Sequence, residues 1–108
     1  MQIVALDRQP LDGAPGVRMA EVLDAVLDTG PRPRVRVHLA DLDVGASLPR
    51  HPAGLSQTFV VLSGTGEVAG ADDVRMDVGP GDVVRWDVGE QHTAWASTAM
   101  TVLIVQHG

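Results

Sequence analysis

The sequence predicts an all-β protein built as an antiparallel sandwich or barrel. From residue 34 onward, short runs of β-branched and apolar residues alternate with glycine turns. No helical spacers separate these runs, which disfavours a parallel sheet because parallel strands need long crossover connections. The chain has 108 residues, the length of one domain, so we expect one functional site at most.

The first part of the chain, residues 1–33, is expected to form an N-terminal extension that packs on the barrel. Residues 7–16 are rich in proline and glycine, which predicts a loop. From Val17 to Leu27 apolar residues recur at helical spacing, and this pattern predicts a short helix. The competing interpretation is a strand over Val17–Leu23 that leads into the barrel.

The barrel itself is expected over residues 34–108. After Pro33 apolar and polar residues alternate, which predicts a strand with Val35, Val37 and Leu39 on one face. Arg34 and Arg36 share the other face with His38, so we expect this face to point to solvent. The strands predicted after it are Thr58–Leu62, Gly66–Ala69, Val74–Val78, Val83–Trp86, Thr93–Ala96 and Met100–Val105.

Charge and composition disfavour several kinds of partner. The formal net charge is −6, and the one local basic cluster, Arg32, Arg34 and Arg36, is expected to be solvated, so nucleic-acid binding is not expected. No apolar run approaches the length of a membrane span, and no signal-peptide pattern opens the chain. A cytoplasmic protein without a membrane partner is therefore the expectation.

Two segments carry the candidate site. In the first, Gly45–Gly64, five residues separate Gly45 from His51 and five more separate His51 from Gln57. The second, Gly81–Ala96, contains His92 shortly after a glycine turn. Because the chain has no cysteine, any metal would be held by histidine, carboxylate, amide or water.

The two segments resemble the paired motifs of the cupin superfamily, which are small jelly-roll barrels with two antiparallel sheets. FVVLSGTGEV at residues 59–68 resembles the strand, turn and strand after the first cupin motif, and GPGDVVRWDVGEQH at residues 79–92 resembles the approach to the second. The resemblance covers the last two-thirds of the chain. The stretch also resembles the small, single-domain, quercetin-dioxygenase-like cupins, in which glutamine often replaces the glutamate of the first motif; here that residue is Gln57.

The resemblance implies a divalent metal ion inside the barrel, held by His51, Gln57 and His92. By strict spacing the second histidine of the first motif would fall at Ala53, which cannot coordinate. With a two-residue shift His51 would be the second histidine and Pro49 would stand at the first, so one ligand is missing in either register. Water or substrate would fill the open positions. His38 would supply the missing ligand only if its face turned inward. The ligand set does not distinguish Zn, Ni, Fe, Mn and Cu, and the alternative is that these residues are polar remnants in a metal-free barrel.

Strand parity predicts which side chains line the cavity. Phe59 and Val61 share the strand face of Gln57, and Ala94 and Ala96 share the strand face of His92. The alanines beyond His92 are small enough to leave room for a ligand. Trp86 is expected to close the core or to line the mouth of the pocket. The predicted lining residues are Phe59, Val61, Trp86, Ala94 and Ala96.

Both faces of the strand at Met100–Val105 are apolar, which predicts burial on both faces and hence a homodimer. Trp95 has the opposite parity to His92 and is expected in a sheet or dimer contact.

Two functions are left open by the sequence. The first is a small metal-dependent enzyme, dioxygenase-like, that acts on a small organic molecule. The second is a metal-free, non-catalytic cupin that binds or senses such a molecule. The incomplete ligand set favours the second, as does the lack of an extra carboxylate in either motif to serve as a general base.

Overall fold

The computed structural model describes residues 1–26 and 34–108. Within these ranges the chain forms ten strands and no helix, and so no helix there could span a membrane. The strands are β1 (Gln9–Pro10), β2 (Val17–Val26), β3 (Arg34–Leu42), β4 (Ser47–Pro52), β5 (Ser56–Ser63), β6 (Gly66–Ala69), β7 (Met76–Val78), β8 (Val83–Trp86), β9 (Gln91–Ala96) and β10 (Met100–His107).

The strands form two antiparallel sheets. The larger sheet has the order β1-β2-β3-β10-β5-β8, and the smaller has the order β4-β9-β6-β7. The all-β prediction is confirmed, and the arrangement is that of a jelly-roll sandwich.

The predicted strands are present, with small shifts at their ends. β6 and β8 have the predicted bounds, whereas the strand predicted at Val74–Val78 begins at Met76. The sequence does not predict β4, because Pro49 and Pro52 indicate a loop. β4 tolerates both prolines since it lies at the edge of the smaller sheet, where one side of the strand needs no ladder donors.

The helix predicted from Val17 is wrong throughout β2, and the strand interpretation is confirmed there; Leu27 lies outside the described residues. β2 runs antiparallel to β3, with a bulge between Glu21 and Leu23. A bulge adds one residue and reverses the parity that follows it. Apolar residues on both faces of a bulged strand thus imitate helical spacing.

The part of the chain expected to be an N-terminal extension shares one sheet with the rest of the barrel. β1 pairs with β2, and β2 pairs with β3 along its length. Ala14 and Val17 belong to the hydrophobic core, against which Leu11 and Met19 also pack. The inner wall of the barrel therefore includes side chains from before residue 34.

The core fills the middle of the barrel and gives way to polar side chains at one end. Along β3, Leu42 and Ala40 are fully buried, whereas His38 and Arg36 continue the same inward face and line a cavity. β10 changes in the same way, from core residues such as Val102 to Gln106. This change from apolar to polar residues along each strand creates the candidate site.

Candidate functional site

A cavity of about 320 Å³ opens at the polar end of the barrel. Its apolar wall consists of Leu11, Met19, Leu48, Ala94 and Ile104. The remaining lining residues are Arg36, His38, His51, Gln57, Trp86, His92 and Gln106. The three residues proposed as metal ligands, His51, Gln57 and His92, thus line one cavity.

The two histidines face each other across the pair β4–β9. His51 and His92 are direct register partners, with ring centroids 4.2 Å apart and ring planes inclined by 56°. A bulge in β4 between Leu48 and His51 adds one residue relative to β9. Because of this bulge, the side chains of His51 and Leu48 point to the same side of the sheet, and both line the cavity.

Backbone carbonyls fix both imidazole rings. His51 Nδ1 lies 2.6 Å from the Pro49 carbonyl oxygen, and His92 Nδ1 lies 3.1 Å from that of Glu90. A carbonyl oxygen can only accept, so Nδ1 is the donor and Nε2 carries the lone pair in each neutral ring. The His92 Nε2 atom is buried and has no hydrogen-bond partner among the described residues.

The pKa of His92 is lowered from its ordinary value of 6.5, mainly because burial disfavours the charged ring. The hydrogen bond to the Glu90 carbonyl acts in the opposite direction, and the neighbouring His51 lowers the pKa further. His92 is therefore neutral at neutral pH, the state in which an imidazole can bind a metal or accept a hydrogen bond.

An aromatic stack supports His92 from the side of the core. The Trp86 ring stacks on His92 with a centroid separation of 4.5 Å, and Phe59 meets Trp86 edge-on at 5.5 Å. This packing restricts the imidazole from one side while the carbonyl bond restricts its rotation.

The predicted lining residues divide into two groups. Trp86 and Ala94 line the cavity, but Phe59, Val61 and Ala96 do not. These three are buried in the closed core instead, with Phe59 fully inaccessible. All three side chains point inward, as strand parity predicts. They do not line the cavity because they lie in the apolar middle of the barrel, where the core is closely packed.

The prediction that His38 points to solvent is wrong. His38 is half-buried and lines the cavity beside Arg36, and its pKa is lowered first by burial and then by Arg36. The polar face of β3 is its inward face, since Leu42 and Ala40 lie on it. Arg34, at the end of the strand, is exposed as expected, whereas Arg36 and His38 are half-buried and line the cavity.

Sequence reasoning also does not identify Arg36 and Gln106 as lining residues. The two are direct partners in the β3–β10 register, and Gln106 is opposite Gln57 in the β10–β5 register. Strand pairing was needed to find them, because parity within one strand does not say which face is inward. Trp95 lies on the outer face of the smaller sheet, where the Arg75 guanidinium stacks 3.8 Å from its ring centroid.

Two imidazoles and an amide oxygen are donor types that divalent ions accept. Two imidazoles bound to one ion through Nε2, with metal–nitrogen bonds of about 2.1 Å at angles of about 90 to 110°, have ring centroids roughly 4.5 to 5.3 Å apart. The 4.2 Å separation of His51 and His92 is slightly shorter, so the rings would move apart by a few tenths of an ångström to share an ion. Among the described residues, no three His, Cys, Asp or Glu side chains cluster closely enough to hold a metal, so His38 does not complete the set.

Comparison with known proteins agrees with this architecture. The family model described as a cupin domain matches residues 38–106. The chain belongs to the cupin superfamily. No curated protein matches this cupin.

Solved structures share its fold at low sequence identity. The polyketide cyclase RemF from Streptomyces resistomycificus is 19% identical with a TM-score of 0.78, over 99% of this chain and 79% of that one. An RmlC-like cupin from Shewanella frigidimarina is 18% identical with a TM-score of 0.76, over 94% and 83%. A predicted oxalate decarboxylase from Thermotoga maritima is 21% identical with a TM-score of 0.75, over 96% and 92%.

Proposed function

We propose that this cupin binds a divalent metal ion through His51, Gln57 and His92, and that it binds or acts on a small organic molecule in the same cavity. The observation that carries the proposal is the imidazole pair. Both rings have Nδ1 tied to a carbonyl, and the free Nε2 of His92 is buried without a partner. A lone pair kept from water in this way calls for a cation or a hydrogen-bond donor.

The protein residues have separable roles at such a site. His51 and His92 would donate nitrogen lone pairs, and Gln57 would offer its amide oxygen from the facing sheet. Trp86 excludes water from one side of His92. A bound divalent ion would supply Lewis acidity toward a ligand oxygen, or dioxygenase-like chemistry if it is redox-active.

The fold relatives support a small organic molecule as the ligand. Two of them are named as a polyketide cyclase and a predicted oxalate decarboxylase. The cavity of about 320 Å³ is at the lower end of the range for small-molecule sites, and it combines an apolar wall with a few polar groups.

The second candidate is a metal-free cupin that binds or senses a small molecule. It is favoured by the neutral ligand set and by the lack of a three-residue metal cluster among the described residues. In this form the Nε2 atoms would accept hydrogen bonds from a hydroxyl or amine of the ligand.

Metal analysis of tag-free protein separates the two candidates. Protein incubated with Zn, Ni, Mn or anaerobic Fe(II) and then desalted is expected to retain about one ion per chain. His92→Ala should lose the ion and stay folded, whereas His107→Ala, which removes an exposed histidine outside the cavity, should retain it. Wild-type protein that retains none of these metals would reject the metal proposal in favour of the second candidate.

A further inference from the structure

The charge of the cavity is opposite to that of the protein. The chain carries a formal net charge of −6, yet no aspartate or glutamate is among the described residues that line the cavity. Arg36 is the one arginine in this lining, and the chain has no lysine. The described lining thus contains one cationic side chain and no carboxylate, although the protein as a whole is acidic.

Arg36 has hydrogen-bonding capacity that the described residues do not use. Its nearest carboxylates are Glu21, 3.8 Å from one terminal nitrogen, and Asp24, 3.8 Å from Nε, both too far for a hydrogen bond. Its Nε atom is buried and unpartnered among the described residues. Asp24 is already occupied, since both its oxygens accept from Arg34 at 3.0 and 3.2 Å.

Other arginines of this protein behave differently. Arg8, Arg18 and Arg50 each make a hydrogen bond of 3.1 Å to an aspartate oxygen, as Arg34 does to Asp24. Arg75 and Arg85 also lack such a bond among the described residues, but neither lines the cavity. Arg36 combines a place in the cavity lining with a buried Nε that has no partner among the described residues, which indicates that its guanidinium is available to a group that enters the cavity.

The position of Arg36 relates it to the proposed metal ligands. Arg36, Gln106, Gln57 and Trp86 form one row across β3, β10, β5 and β8, each opposite the next. Adjacent strands lie about 4.8 Å apart, so Arg36 and Gln57 are roughly 10 Å apart at Cα. A small molecule can therefore meet His51 and His92 at one end and Arg36 at the other.

We infer that the ligand of this cavity is a small organic monocarboxylate with an apolar body, whose carboxylate pairs with Arg36 and Gln106. A guanidinium presents parallel N–H groups that match a carboxylate, and the Gln106 amide adds a donor beside it. Leu11, Met19 and Ile104 supply the apolar wall for the body. This inference rests on the proposed function, because it places the ligand in the same cavity.

A carboxylate suits this site better than a phosphate. Phosphate recognition typically uses several cations or the N-terminus of a helix. The described residues contain no helix, and the lining offers a single arginine. A single planar guanidinium matches the two oxygens of a carboxylate.

The test compares each acid with its neutral amide. Dissociation constants of benzoate and benzamide, and of hexanoate and hexanamide, are measured by calorimetry on EDTA-treated protein and on protein loaded with Zn. The wild type is expected to bind each acid about tenfold more tightly than its amide. Arg36→Gln should remove this preference, Arg36→Lys should keep part of it, and Arg85→Gln, an exposed arginine outside the cavity, should leave it unchanged.

Several outcomes would overturn the inference. They are equal binding of acid and amide, no binding of either acid, a preference that survives Arg36→Gln, or tighter Arg36-dependent binding of phenyl phosphate than of benzoate. The metal proposal can fail separately. If the protein takes up no metal but prefers the acid to its amide, the carboxylate inference is supported and the metal proposal is rejected. If it takes up metal but binds acid and amide equally, the metal proposal is supported and the carboxylate inference is rejected.

Discussion

His92 has three neighbours that act on different parts of one ring. The Glu90 carbonyl holds Nδ1, Trp86 covers a ring face, and His51 approaches from the adjacent strand. Nε2 is the one ring nitrogen left without a partner among the described residues. A ring held so firmly needs little reorganisation to bind an ion or a donor, which is the advantage of a preorganised site.

The same burial makes the stability of the metal-free protein depend on pH. The pKa values of His92 and His38 both lie below 6.5, chiefly through burial, so the unfolded chain binds more protons than the fold near and below pH 6.5. This part of the stability is fully present above about pH 6.5 and is lost as the pH falls through the lowered pKa values.

We therefore expect the free energy of unfolding of EDTA-treated protein, measured in urea, to fall between about pH 7 and about pH 5. His92→Gln should flatten this dependence, and His107→Gln controls for the loss of one histidine. If His92→Gln has the same pH dependence as the wild type, burial of His92 does not contribute to it.

Gln57→Glu tests the metal through the charge of one ligand. With an ion at the site, an anionic oxygen replaces a neutral one, so affinity and metal-dependent stabilisation should rise. We expect a larger rise in Tm with Zn, Ni or Mn than the wild type shows. In a metal-free barrel the buried carboxyl would have a raised pKa, and its ionisation would lower stability.

Gln106→Glu is the matched control for that change. It makes the same chemical change one strand away, opposite Arg36 rather than at the proposed ligand position. Its response to metals should equal that of the wild type. A Gln57→Glu protein that is destabilised and unresponsive to every metal would count in favour of the metal-free cupin.

At the level of the strands, the sequence shows which side chains share a face of one strand. It does not show which strands are neighbours in a sheet. Phe59 and Val61 share the strand face of Gln57, and Ala94 and Ala96 share that of His92. These neighbours and the resemblance to the cupin motifs together predicted that Gln57 and His92 point inward, and both line the cavity. His38 was misplaced because its facing depends on the neighbours of β3. The bulges in β2 and β4 are likewise visible only in the registers with β3 and β9, although Pro49 lies within the bulge of β4.

Close approach of two strands explains one glycine in β6. A Cβ at Gly66 would overlap the Trp95 carbonyl oxygen and lie 2.6 Å from Met100 Sδ. We expect Gly66→Ala to lower the free energy of unfolding by about 2 to 3 kcal/mol, as overpacking does, in urea denaturation. Gly79→Ala is the control, since its Cβ would meet nothing closer than 3.9 Å and should change stability by less than about 0.5 kcal/mol. Equal effects of the two variants would show that the β6–β9 contact is not tight.

At the scale of the whole molecule, the outer face of the larger sheet carries an apolar patch at its centre. Leu39, Leu103 and Val60 lie side by side across β3, β10 and β5, and all three are only half-buried. Val37 and Val105 form the next row of this face. The sequence of β10 is apolar on both faces because one face packs in the core and the other belongs to this outer surface.

We propose that a second copy of the chain covers this outer face, as a homodimer. Light scattering is expected to give twice the chain mass at micromolar concentration. Leu103→Glu should shift the protein to monomers, because it puts a charge in the centre of the face. Val44→Glu, at an exposed turn outside this face, should leave the dimer intact. A monomeric wild type would reject the proposal.

The order of the strands also has a consequence for how the molecule is made. β10 lies between β3 and β5 in the larger sheet, although it is synthesised after both. Until residues 100–107 have left the ribosome, β3 and β5 lack their common neighbour, and their unpaired edges are open to other chains. The cavity wall needs Ile104 and Gln106 from the same strand. Ligand binding during synthesis therefore cannot begin before β10 emerges, and long-range pairing of this kind makes folding slow.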